Sequence, residues 1–312
     1  MILVTGASGY VGSHVIRALA GAGKSVRGLV YNRQRAEKEG RLQGLKVEVE
    51  EGDINRPESL ANALSGVTAV VHTVAIAIEK GKRTYEMINY TGTVNLVEAV
   101  KQADIRRFIN ISQLGANADL PYRFLASKGK AQDYVAASGL AWTAFRPSVI
   151  WGPEDEFANT FARLVPLTPL IFPIVGDSNT KFEPVWVDDV AMCVLKALED
   201  STTIGKEYEL GGPEVLTLEE IERRTLHAIA ANRWMIRFPM PLLRIAVAVL
   251  EFLLPAPPVT SSLLELLAVS NVTTQNAISQ FIANPRPFTA ENAASYMRTF
   301  TVKQTLAQFF GR

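Results

Sequence analysis

A parallel β-sheet covered by helices on both faces is the fold class that this sequence predicts. The first observation behind it is rhythm. Through the first half, short apolar runs rich in β-branched residues alternate with amphipathic helical stretches, as they must when each strand is followed by a crossover helix. The second is a change of punctuation after Pro147, where Gly- and Pro-rich segments (WGPED, VPLTPLIFPIVG, LGGPEV) replace that rhythm. The expected architecture is α/β: a doubly wound parallel sheet over residues 1–150, and a smaller C-terminal mixed and helical cap over 151–312, on the substrate side and interleaved with the core.

In chain order, the strands read at residues 2–5, 25–30, 47–50, 69–72, 108–111 and 142–145, which makes a six-stranded core. Helices are expected near 11–22, 58–63, 83–103 and 124–137. Further on, FEPVWV reads as a strand and DVAMCVLKALED as a helix. Thr217, followed by Glu219 and Glu220, opens a helix running to His227 with a capping-box-like start. No internal repeat or low-complexity segment is present.

The run at 239–254 (PMPLLRIAVAVLEFLL) is the most hydrophobic in the chain. A membrane-spanning helix needs about 20 apolar residues, and this run is shorter, bounded by prolines and interrupted by Arg244 and Glu251. On a helical wheel Arg244, Ala248 and Glu251 share one narrow stripe, and apolar side chains cover nearly everything else. Such a helix must be covered, either by packing within this chain, where LLELLAV at 263–269 could supply the partner, or by a protein partner or the membrane boundary.

Composition narrows the remaining classes. The chain of 312 residues can bury a substantial core, and its formal net charge of +1 creates no global field that would draw it to nucleic acid. The single cysteine, Cys193, lies in an apolar run, which rules out an internal disulfide and fits a buried thiol in a reducing compartment. The first strand begins at the N-terminus, leaving no room for a targeting peptide, so a cytoplasmic protein is expected, with the helix at 239–254 allowing a peripheral place on the membrane.

The motif that carries chemistry is Thr5-Gly6-Ala7-Ser8-Gly9-Tyr10-Val11-Gly12, directly after the first strand and opening a helix. Gly6 permits the tight turn, Gly9 lets backbone amides approach a pyrophosphate, and Gly12 lets helix pack closely on strand. Gly6, Ser8, Gly9, Tyr10, Val11 and Gly12 are therefore read as a Rossmann-type dinucleotide site, the GxxGxxG spacing pointing to short-chain and extended reductases. After the second strand the chain reads Val30-Tyr31-Asn32-Arg33-Gln34-Arg35, with no acidic residue for a ribose 2′-hydroxyl. Arg33, with Arg35 beside it, suits a 2′-phosphate, so NADP(H) is favoured over NAD(H). Asp53 and Ile54, after the third strand, are placed near the adenine.

The segments TGASGYVG, EGDI, AVVHTVA, INYTGTVNLVEAV, RFINIS, SKGKAQDYVAASGLAWTAFRPSVIWGP and VWVDDVA resemble the extended or atypical short-chain dehydrogenase/reductase family. Within it, KFEPVWVDDVA, YELGGPEVLTLEEI, the prolyl-rich hydrophobic helix and PRPFTAENA resemble the branch formed by the nucleotide-binding accessory subunit of respiratory complex I and its bacterial relatives.

In enzymes of that family a tyrosine four residues before a lysine is the general acid/base, and a serine or threonine after the fifth strand positions the substrate oxygen. The resemblance assigns the lysine to Lys128, but the tyrosine position holds Phe124, which has no proton to give. Tyr122 is the nearby phenol; Ser112 ends the strand, with Leu114 where related epimerases place the active hydroxyl. Arg146-Pro147-Ser148 is expected to shape the nicotinamide side, Pro147 touching the cofactor, and Asn89 resembles the family's water-holding asparagine. His14, His72 and His227 lack ligand spacing, so no metal is expected, and His72 reads as packed. Asp188 and Asp189 read as residues that open a helix.

That resemblance, taken with the intact glycine motif, Phe124 and the apolar helix, implies a subunit or assembly component of a respiratory NADH:quinone oxidoreductase that retains its nucleotide without turnover, in contact with membrane-bound subunits through the 239–254 helix. The alternative is a soluble NADPH-dependent reductase of a quinone, enone or carbonyl, with Tyr122 or water as proton source. A sugar-nucleotide epimerase fits less well, because such chemistry leans on the tyrosine that Phe124 replaces.

Overall fold

Apolar strands followed by crossover helices give this chain a fully parallel central sheet, and the computed structural model describes residues 1–175, 177, 179–255, 257 and 259–310. The chain begins β1 (Ile2–Thr5), α1 (Tyr10–Gly21), β2 (Val26–Val30), α2 (Arg33–Glu39), β3 (Glu48–Glu51), α3 (Ala61–Leu64), β4 (Ala69–His72), α4 (Gly92–Gln102), β5 (Arg107–Ile111), α5 (Arg123–Ala137) and β6 (Ala141–Pro147). It continues with β7 (Ile150–Trp151), α6 (Ala158–Leu164), β8 (Ile171–Ile174), β9 (Lys181–Phe182), β10 (Val185–Trp186), α7 (Val187–Glu199) and β11 (Lys206–Leu210). The last stretch holds β12 (Leu216–Thr217), α8 (Leu218–Ala228), β13 (Trp234–Arg237), α9 (Met240–Leu253), α10 (Ser261–Leu267), α11 (Ile278–Phe281), α12 (Ala290–Ala294) and α13 (Val302–Phe309).

Two compact units result. The first comprises Met1–Pro147, Val187–Leu210 and Thr274–Asn284; the second comprises Ser148–Trp186, Gly211–Thr273 and Pro285–Arg312. In the first, seven parallel strands lie in the order β11-β6-β5-β4-β1-β2-β3. Strands buried on both faces must be apolar throughout, and Leu3, Val4, Val70, Val71, Phe108 and Ile109 are all fully buried. From β1 the chain runs to β2 and β3 on one side, then crosses to β4, β5 and β6 on the other, so strand order reverses between β1 and β4. Thr5 is paired with His72 and His72 with Asn110, which aligns the carboxyl ends of β1, β4 and β5. A crevice opens at such a reversal.

The sheet departs from the six strands expected, because KEYEL forms a seventh, β11, parallel to β6. Among the strands it pairs with β6 alone, its other side meeting only an isolated bridge between Glu209 and Asn276, and an edge strand tolerates charged side chains that hide it from an apolar-run reading. RQRAEKE is likewise helical as α2, capped by the Asn32 side chain accepting from the Arg35 amide, with only Ala36 buried. The helix expected from residue 83 starts later, since Lys80 and Arg83 form a tight turn; residues Glu86–Thr91 are π-helical and α4 follows. The expected strand FEPVWV is broken at Pro184, which cannot donate to a ladder, into the ends of β9 and β10.

The second unit pairs its strands in short two-stranded sheets, β7 with β10, β9 with β12 and β8 with β13. Its core gathers Trp151, Phe161, Phe172, Phe182, Ile221, Leu264 and Phe288. Thr217 and Glu220 complete the capping box at the start of α8. The hydrophobic helix α9 meets α10, which carries the LLELL sequence, yet only Val247 of α9 is buried. Ile245 is 63% exposed and Phe252 89% exposed, so α10 covers one stripe and the packing within the chain expected for α9 leaves most of it uncovered. No helix among the described residues is long and apolar enough to cross a membrane.

In the first unit Arg107 fastens the far end of the sheet. It donates to the Ala141 carbonyl at 2.7 Å, the Ala197 carbonyl at 2.6 Å and Thr203 Oγ1 at 3.0 Å, joining β5, β6, α7 and the turn that follows. Arg107→Met is expected to cost about 2 kcal/mol, because buried acceptors lose a charged donor. A lowered urea midpoint at unchanged slope would register it; an unchanged midpoint would show that the clamp contributes nothing.

Candidate functional site

The turn between β1 and α1 opens at the reversal of strand order. Gly6 has φ +70°, a left-handed conformation that side chains rarely adopt. The amide of Gly9 donates to the Gly6 carbonyl at 2.9 Å and closes the turn. A β-carbon on Gly12 would stand 2.2 Å from the Gly6 oxygen, and one on Gly9 3.0 Å from it. The helix therefore approaches the turn as closely as backbone allows.

At the mouth of this cradle α1 begins at Tyr10 with Gly9 as its N-cap; no side chain caps it and no acidic residue occupies its first turn. The first amides of a helix carry partial positive charge and seek acceptors. An uncapped, acid-free helix start behind a glycine turn fits the pyrophosphate of a dinucleotide. Ser8, Tyr10 and Val11 lie on this rim, Tyr10 edge-on to His14 at 5.5 Å between ring centres. His14 Nδ1 is 2.6 Å from Asp188 Oδ1, so Asp188, in the first turn of α7, has a specific partner besides the helix dipole.

On the side where the sequence places the adenosine, Arg33 is the first residue of α2. Its amide donates to Glu51 Oε2 at 2.8 Å and its guanidinium to the Val49 carbonyl, so the side chain runs along β3. Arg35 pairs with Glu39 at 2.8 Å. Asp53 Oδ1 accepts from the Asn55 amide at 2.9 Å, and Oδ2 lies 3.6 Å from Arg56. Ile54 is buried under Gly92, where a β-carbon would come within 2.5 Å of its Cδ1. Arg41, which the sequence reading passed over, donates to the Ser8 carbonyl at 2.9 Å. Nothing in its spacing announces this, because it lies beyond the end of α2 and reaches back through space.

The opposite half gathers at the ends of β4, β5 and β6. His72 is buried between Thr5 Oγ1 at 2.7 Å and Thr93 Oγ1 at 3.0 Å. Burial, and then the Lys128 charge, push its pKa down to about 3, so it is a neutral packed histidine. Lys128, on α5, donates to the Ile111 carbonyl at 2.8 Å, and burial lowers its pKa to about 8. Next to that carbonyl, Ser112 Oγ is buried without a hydrogen-bond partner, while its amide donates to the Phe145 carbonyl. The Pro147 carbonyl accepts from Leu114 at 2.9 Å and fixes the loop after β5.

The structure thus brings Lys128, Ser112 and Pro147 to the ends of neighbouring strands. An ammonium with donors to spare and an orphan hydroxyl suit ribose or carboxamide groups. Tyr122 is the N-cap of α5, with extended backbone. Phe124 packs edge-on against Tyr85 at 5.6 Å. Asn89 lies in the π-helical turn, bonded to the amide and carbonyl of Ile76 and to Ser127 Oγ, so it braces the loop after β4. Among the described residues no group of three metal-ligating side chains comes together.

A family model described as NAD(P)H-binding matches residues 6–201. Over 283 residues the chain is 27% identical to the Arabidopsis thaliana mitochondrial NADH dehydrogenase [ubiquinone] 1 alpha subcomplex subunit 9, covering 88% of this chain and 70% of that protein. It is 30% identical to the 2-alkyl-3-oxoalkanoate reductase of Stenotrophomonas maltophilia (strain K279a), covering 74% of this chain and 76% of the reductase. The fold is that of the crystal structure of the Thermus thermophilus UDP-glucose 4-epimerase complexed with NAD, with TM-score 0.61 and 21% identity over 78% of this chain and 92% of that one.

Two substitutions test the site. Gly12→Ala forces a methyl against the Gly6 oxygen and is expected to abolish nucleotide binding in calorimetry; normal binding would show that the turn can relax. Lys128→Met removes a buried charge that is held at a cost. It is expected to weaken nucleotide binding roughly tenfold while raising Tm of the ligand-free protein by roughly 2–4 °C. The sign follows from the lowered pKa: the folded state binds fewer protons than the unfolded one between about pH 8 and 10.5, so stability rises with pH through that window. The gain in Tm should therefore shrink at alkaline pH.

Proposed function

We propose that this chain, which belongs to the NAD(P)H-binding family, is an accessory or assembly subunit of a respiratory NADH:quinone oxidoreductase that holds its nucleotide as a structural element. The observation that carries this reading is Phe124: the glycine cradle and Lys128 are in place, but the residue one helical turn before Lys128 is a phenyl ring packed against Tyr85. The chain can hold a dinucleotide without a phenol to pass the proton. Bound nicotinamide would supply hydride chemistry, whereas the residues around it bind and orient. At 100 times its Kd a ligand adds about 2.7 kcal/mol to stability, enough to make retention useful without turnover. The preferred nucleotide is NADP(H), because no acidic residue follows β2.

The apolar face of α9 is the surface through which the chain meets membrane-bound subunits, at the edge of the bilayer. In detergent-solubilised membranes separated under native conditions, the chain is expected to migrate with the respiratory complex. Ile245→Glu and Phe252→Glu, at positions already exposed, should release it from the complex with Tm altered by no more than about 1 °C, as for other surface changes. Migration as a small species with an unmodified α9 would overturn the subunit reading.

A second reading rests on Ser112, whose buried hydroxyl lacks a partner near Lys128 and could meet a carbonyl oxygen. It is an NADPH-dependent reductase of a quinone, enone or carbonyl. Oxidation of NADPH by a defined acceptor, abolished in both Ser112→Ala and Tyr122→Phe, would favour it. Activity that appears only in Phe124→Tyr would instead mark the protein as a former enzyme.

A further inference from the structure

We infer that a 2′-phosphate on the adenosine ribose is selected by Arg41 and Arg83, not by Arg33, the first residue of α2. This rests on the dinucleotide reading of the glycine turn and adds to it the residues that choose between the two nicotinamide nucleotides.

With the pyrophosphate on the start of α1, the adenosine ribose lies between the glycine turn and the end of β2. Five residues frame that position. Tyr31, the first residue beyond β2, offers a ring that is 61% exposed and no carboxylate for a ribose hydroxyl. The Asn32 side chain is engaged in capping α2. The Arg33 guanidinium is held along β3 by the Val49 carbonyl, so using it would break that bond. Arg41 and Arg83 arrive from two other loops.

Arg41 lays its guanidinium on the rim of the glycine turn, 2.9 Å from the Ser8 carbonyl. Glu39 is 3.8 Å away, an ion pair at the outer limit of such contacts. Arg83 is presented by the tight turn in which Lys80 and Arg83 exchange backbone hydrogen bonds at 3.1 Å. Its guanidinium carbon lies 5.5 Å from the centre of the Tyr31 ring. A cation over an aromatic face is held loosely enough to turn toward an anion and firmly enough to remain there. One positive group is thus fixed at Ser8 and another at Tyr31, on the two landmarks that bracket the ribose. A phosphate monoester carries nearly two negative charges and accepts the paired N–H groups of a guanidinium. An unphosphorylated ribose offers nothing of the kind, so the two arginines discriminate.

The test is calorimetric binding of NADPH and of NADH to the full chain and to Arg41→Ala, Arg83→Ala and Arg33→Ala. The wild type should prefer NADPH. Each of Arg41→Ala and Arg83→Ala should weaken NADPH roughly tenfold while leaving NADH within about twofold. Arg33→Ala should keep the wild-type ratio. NADH serves as a control within each variant, since misfolding would weaken both nucleotides alike. Equal binding of NADPH and NADH by the wild type, an unchanged ratio in the Arg41 and Arg83 variants, or loss of the ratio in the Arg33 variant would each overturn the assignment. A wild-type chain that binds neither nucleotide would overturn the dinucleotide reading beneath it, a result distinct from binding without discrimination.

Discussion

The close approach of α1 to the β1 turn is the constraint on which the first unit depends. Backbone meets backbone at Gly6 and Gly12, so α1 sits deep enough to bury Val15, Ile16 and Leu19 completely. The same closeness brings α1 against α7 and places His14 beside Asp188. Moving the helix outward by the width of a methyl would loosen the sheet face and turn the first amides away from the crevice together. The packing of α1 and the geometry of the glycine turn are therefore set by a single contact.

The opposite half of the crevice is built on a different principle. Lys128, His72, Asn110, Gln132 and Ser112 are all buried among apolar strands, where each polar group costs free energy unless bonded. Most are bonded: His72 to two threonines, Lys128 to a carbonyl, Asn110 to Gln132. The lowered pKa of Lys128 shows that one carbonyl does not replace water around an ammonium. The charge of Lys128 is thus held at a cost in this half of the crevice.

Much of this was legible in the sequence because it rests on local rules. The glycine spacing required a turn and a close helix, and alternation of apolar runs with amphipathic stretches required a parallel sheet. Thr217 and Glu220 announced their capping box. What escaped was set by position in three dimensions. KEYEL is a strand because β6 lies beside it, and RQRAEKE is a helix because Asn32 caps it and solvent surrounds it. The contact of Arg41 with the Ser8 carbonyl depends on a chain reversal, and the bond of the Arg33 guanidinium to β3 depends on which way one side chain turns. For α9 the apolar wheel was evident, but whether α10 would suffice to cover it was a question of area that only packing answers.

The first unit is also discontinuous in sequence. Glu209, in β11, accepts from the amides of Thr274 and Gln275 and from Thr274 Oγ1, while its carbonyl accepts from Ala277, and Lys196 reaches the Phe281 carbonyl. Synthesis from the N-terminus therefore delivers six adjoining strands early, the seventh after β7 to β10 have been made, and the segment that seals its edge only near residue 284. Until then the β6 side of the sheet ends in unpaired backbone, the kind of edge that recruits other chains. A nascent chain that has not reached residue 284 presents that edge, so the order of synthesis shapes the folding of this unit as well as the stability of its finished form.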